Sequence, residues 1–85
     1  MKKYKFNLNF LEQIYSYGLI DPLDSIFQFM MQEIKKGNII VFEKQKSFEN
    51  NSEVFFFHET SELHLYIHQF MKKNRPSLKV LLEQG

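Results

Sequence analysis

The sequence predicts an α+β domain: a small antiparallel sheet with helices on one face. Three observations carry this expectation. Tyr4, Phe6, Leu8 and Phe10 alternate with Lys3, Lys5, Asn7 and Asn9, the period of a half-buried strand. Leu23, Ile26, Phe27, Met30 and Ile34 recur at three- and four-residue spacing, the stripe of an amphipathic helix. Ile39-Ile40-Val41-Phe42 and Val54-Phe55-Phe56-Phe57-His58 flank a polar stretch, as the two arms of a hairpin do.

In chain order, a strand is expected over residues 3–10, followed by a short helix over 10–17. Asn9 and Glu12 suit the start of that helix, and Gly18 suits its exit. A rival reading starts the helix at Leu8 and loses the strand. A second helix is expected over 22–36, with Asp21 as N-cap, Pro22 in the first helical position and Asp24 reaching back to free N–H groups. Lys35 and Lys36 complement the negative end of the dipole, and Gly37 supplies the left-handed exit.

The hairpin follows, with arms at 39–46 and 54–58. Residues 47–52 form the loop, where either Asn can take a left-handed conformation. In the second arm Phe55 and Phe57 share one face, while Val54, Phe56 and His58 share the other. Apolar residues on both faces indicate a central strand, or a strand whose second face meets a partner. Ser61 is the N-cap of an expected third helix to about Lys73 with the stripe Leu63, Tyr66, Ile67, Phe70 and Met71, ended by Asn74 and Pro76. Residues 77–83 alternate as a strand, although Leu78, Leu81 and Leu82 also fit a helical turn.

This order is βαββαβ, with two helices in the first crossover. It is the element order of the ferredoxin-like arrangement. The alternative is a helical domain with only the central hairpin, of which a winged helix is one form.

The 85 residues make one domain and bury about 60–65% of the unfolded surface. Ten Phe and four Tyr are ample for one core and leave rings for the surface. Cysteine is absent, which excludes disulfides and cysteine–zinc sites and fits a cytoplasmic location. After Met1-Lys2-Lys3, the run Tyr4-Lys5-Phe6-Asn7 breaks any apolar stretch, so neither a secretory signal nor a membrane anchor is expected. A formal net charge of +1 sets up no strong field toward nucleic acid or anionic lipid. Ala is absent and ten of the eleven basic residues are Lys, a composition associated with AT-rich bacterial, phage or organellar genes.

Catalysis has no support. No glycine-rich phosphate loop or nucleophile elbow is present, and Asp21 and Asp24 are explained as cap residues. No cofactor is expected. His64 and His68 stand four apart on the third helix, a spacing that can bridge a metal with Glu59, Glu62 or His58 nearby. Leu65 occupies the place where a zincin carries Glu. The pair lies on the border of the apolar stripe and reads as helix surface, so no metal site is expected.

Two apolar residues lie off their stripes. Phe29 sits about 240° round from Leu23, and Leu65 about 200° round from Leu63. With the over-supplied aromatic strand they predict a protein-contact surface of Phe29, Phe55, Phe57 and Leu65, against the competing role of each in core packing. The expected function is a small non-catalytic protein-binding domain. It would act as a regulator or inhibitor that occludes a larger partner, in the manner of immunity proteins, antitoxins and phage factors. The alternative is single-stranded RNA or DNA binding by Tyr4 and Phe56, with Lys3, Lys5, Lys44 and Lys46 on the same sheet. A homodimer is compatible with either.

Overall fold

The computed structural model describes residues 1–46 and 51–74. The expected strand at 77–83, the Pro76 helix stop and most of the hairpin loop lie outside the described residues. The elements run β1 (Lys3–Asn7), α1 (Leu8–Ser16), α2 (Ile20–Lys35), β2 (Ile39–Gln45), β3 (Ser52–Phe57) and α3 (Thr60–Lys73). The fold is α+β with a small sheet.

The sheet is mixed, which corrects the antiparallel expectation. Its order is β1-β2-β3, with β1 parallel and β3 antiparallel to β2. A ferredoxin-like sheet would place the third strand between the first two; here β3 lies on the far side of β2. The crossover through α1 and α2 brings β2 directly beside β1, with Lys3 opposite Ile39 and Phe6 opposite Phe42. The hairpin then has only the other edge of β2 to occupy. Parallel pairs are slightly less stable per residue than antiparallel ones, and this one is clipped at both ends. The Lys2 N–H donates to Asn38 Oδ1 at 2.9 Å, and the Gln45 N–H donates to Asn9 Oδ1 at 2.9 Å.

Both rival readings of the N-terminus are partly right. The strand exists but stops at Asn7, and the helix begins at Leu8. Asn7 is the N-cap, its Oδ1 accepting from the Phe10 N–H at 3.2 Å; Asn9 is inside the helix. The start of α2 also moves. Gly18, at φ 75°, closes α1 with its N–H on the Tyr15 carbonyl and the Leu19 N–H on the Ile14 carbonyl. This paired closure returns the chain so tightly that α2 opens at Ile20, with Leu19 in the N-cap place. Asp21 and Pro22 therefore fall inside the first turn. A carboxylate is favoured there by the dipole, and a missing N–H costs no intrahelical bond. Gly37, at φ 93°, ends α2 by the same paired closure, with bonds to the Ile34 and Glu33 carbonyls. The third helix starts at Thr60 with Glu59, not Ser61, in the N-cap place.

All three helices pack on one face of the sheet. The core joins Leu8, Leu11 and Tyr15 of α1, Leu23, Phe27, Met30 and Ile34 of α2, and Leu63 and Phe70 of α3 to Ile40, Phe42 and Phe57. Phe42 is the hub of the aromatic packing, with rings of Phe6, Phe57 and Tyr66 at centroid distances of 6.4, 5.2 and 5.4 Å. Ile39 and Val41 are also buried, yet they stand outside that cluster. They point to the opposite face.

Candidate binding face

Alternation along β2 divides the sheet into two unlike surfaces. Ile40 and Phe42 point into the helices; Ile39, Val41, Glu43 and Gln45 point away. The register places Lys3 beside Ile39, and Val41 between Lys5 and Phe56. Glu43 lies between Asn7 and Val54. Among the described residues no helix covers this second face. Its centre is an apolar band of Ile39, Val41, Val54 and Phe56, with Val54 43% and Phe56 52% exposed. Its β1 side is polar, with Lys3 exposed and Lys5 ion-paired to Glu43. A flat apolar centre beside a charged border is the composition of a protein-contact patch.

The four residues expected to form the contact surface do not converge. Phe57 is 7% exposed and lies in the core, its ring 5.2 Å from that of Phe42. Phe55 is half-buried, with its ring 5.6 Å from Tyr66. Both point into the helices, because the face carrying the odd-numbered β3 residues is the one α3 packs against. Phe29 is 42% exposed, but its ring stands edge-on to Tyr4 at 5.3 Å and to Phe6 at 6.4 Å. It packs against the sheet at β1. Leu65 is 60% exposed on the outer side of α3. There it borders a groove against α2 with Gln28, Met31, Lys35, His64 and His68. Among the described residues no group of three or more His, Cys, Asp or Glu gathers to hold a metal ion.

The residues proposed for nucleic acid also separate. Lys3, Lys5 and Phe56 share the open face, but Tyr4 points into the helix layer with Phe6. Lys44 and Lys46 follow Phe42 in alternation and turn the same way. Each is engaged by an acid, Lys44 with Glu12 at 2.9 Å and Lys46 with Glu53 at 3.2 Å.

Sequence reasoning missed one buried polar cluster. Glu33 is buried near the C-terminal end of α2, where the dipole disfavours an anion. The Tyr4 hydroxyl donates to it and Lys36 Nζ lies 3.0 Å away. The Tyr4 bond is the larger cause, and with Lys36 it holds the Glu33 carboxyl below the usual carboxylate range. The same bond raises the Tyr4 phenol above its ordinary value. The stabilisation is thus present above the unfolded carboxyl value of 4.5 and lost as pH falls through the lower folded value. At the other end it is present below 10.0 and lost as pH rises through the raised phenol value. Tyr4→Phe should therefore be less stable than the parent across the neutral range, with the difference shrinking toward strong acid. Urea denaturation at a series of pH values measures this; a difference independent of pH would assign Tyr4 to packing alone.

No described helix is long and apolar enough to cross a membrane. No protein-family model matches the chain, and no curated protein or solved structure matches it either.

Proposed function

We propose that this protein is a non-catalytic binding domain that docks a larger protein on the open face of its sheet and acts by covering the surface it binds. The observation behind the reading is the band Ile39, Val41, Val54 and Phe56, which faces away from every described helix. The sequence put apolar residues on both sides of β3, which suits a central strand or a strand with a partner. Among the described residues β3 pairs on one side only, and this supports the second option for Val54 and Phe56. Separation of Tyr4 from Phe56 deprives the nucleic-acid alternative of its second stacking ring, and acid partners occupy three of its four lysines, Lys5, Lys44 and Lys46.

Affinity capture from the native host, with and without nuclease, tests this reading. A single stoichiometric protein should be recovered in both conditions. Phe56→Thr should abolish that capture, while Leu65→Asp retains it. Thr keeps the strand preference of the position, so the fold should stay within about 1 kcal/mol. Recovery of nuclease-sensitive material, or capture unaffected by Phe56→Thr, would overturn the proposal.

A further inference from the structure

Among the described residues no strand pairs with the outer edge of β3, and the ladder shows which backbone groups lie there. The Ile39 N–H donates to the Lys2 carbonyl, so odd-numbered residues of β2 face β1 and even-numbered ones face β3. At the far end the Lys46 N–H donates to the Asn51 carbonyl, which fixes Asn51, Glu53, Phe55 and Phe57 as the positions bonded to β2. The backbone N–H and C=O of Ser52, Val54 and Phe56 therefore point outward, and among the described residues β3 pairs on one side only. An edge of this kind is a template for another strand. The outer edge of β1 is different: its outward residues are Lys3 and Lys5, the charges that discourage edge pairing. The outward residues of β3 are uncharged.

We infer that β3 pairs antiparallel with β3 of a second copy of this chain, with Phe55 on the twofold axis, joining two three-stranded sheets into one of six strands. The strand is self-complementary in that register. Val54 faces Phe56 of the second copy twice over, giving two apolar cross-strand pairs on the open face. Ser52 meets His58, and Glu53 meets Phe57, so no like charges oppose one another. Neighbouring twofold registers are worse. Moving the axis to Phe56 sets Glu53 against Glu59, and moving it to Val54 sets Phe56 against Ser52. The two-fold, isologous contact is the commonest way for identical chains to associate. It extends the apolar band across both copies without covering it. It uses the strand's edge rather than its face, so it stands independently of the partner proposed above.

Sedimentation equilibrium of the purified full chain should resolve a reversible dimer. A mixed sample of isotope-labelled and unlabelled chains should give contacts between Val54 methyls of one copy and the Phe56 ring of the other. Val54→Pro removes an outward N–H and leaves the ladder to β2 intact; it should lose the dimer and keep the far-ultraviolet spectrum of the parent. A monomer at every concentration overturns the inference, including the case in which the chain's own residues 75–85 protect the Val54 and Phe56 amides from exchange. A dimer lacking the Val54–Phe56 contact overturns it as well, whether or not Val54→Pro folds. A monomer that still captures its protein through Phe56 would refute the pairing alone, and a dimer that captures nothing would refute the partner alone.

Discussion

Phe42→Ala should bring this protein close to unfolding at ambient temperature. The side chain is 1% exposed in the central strand, and it joins β1 through Phe6 to β3 and α3 through Phe57 and Tyr66. Truncation removes the transfer energy of the ring and leaves a cavity lined by rings from three different elements, β1, β3 and α3. These walls cannot all collapse together, so the loss should be about 3–5 kcal/mol. A chain of this length is stable by roughly 4–13 kcal/mol in total. Urea unfolding followed by circular dichroism should show a midpoint far below that of the parent. A loss under about 1 kcal/mol would mean that the aromatic network does not hinge on this ring.

The second large effect separates two residues that look alike in sequence. Phe29→Asp should cost about 1–3 kcal/mol, since it removes two edge-on ring contacts, each worth about 0.5–1.5 kcal/mol. It also puts a carboxylate one turn before Glu33, a like-charge pair on the same helix face. Leu65→Asp should change stability by no more than about 0.5 kcal/mol, as befits an exposed helical site. Thermal unfolding of the two variants side by side checks this. Equal losses would contradict the placement of Phe29 against Tyr4 and Phe6.

The contrast between Phe29 and Leu65 marks where sequence reading stopped. Helical angles put both residues off their stripes, and that much is correct. What angles cannot supply is the neighbour across the gap. Phe29 meets Tyr4 and Phe6 because β1 lies beside β2, and that adjacency depends on a crossover whose destination no local pattern encodes. The same holds for β3. Alternation correctly split Phe55 and Phe57 from Val54 and Phe56, and the helix stripes around Phe27 and Phe70 were legible. Which sheet face the helices would cover was not, since both faces of β3 are apolar, so the wrong pair was assigned to the surface. The N-caps moved by two residues each: from Asn9 to Asn7, where the Asn7 side chain takes the cap, from Asp21 to Leu19, where the Gly18 closure shifts the boundary, and from Ser61 to Glu59. Glu33 gave no signal, because a charged residue near a helix end looks solvated until Tyr4 arrives from twenty-nine positions away.

The parallel pairing of β1 with β2 has a consequence for the order of assembly. Lys3 and Ile39 are thirty-six positions apart, and closing so long a loop costs entropy before any contact repays it. The β2–β3 hairpin and its helices are assembled from nearer neighbours. During synthesis Tyr4 and Phe6 are made before Phe29 and Phe42, and β1 can join the sheet only once β2 has followed. β1 is thus among the last pieces of the sheet to dock.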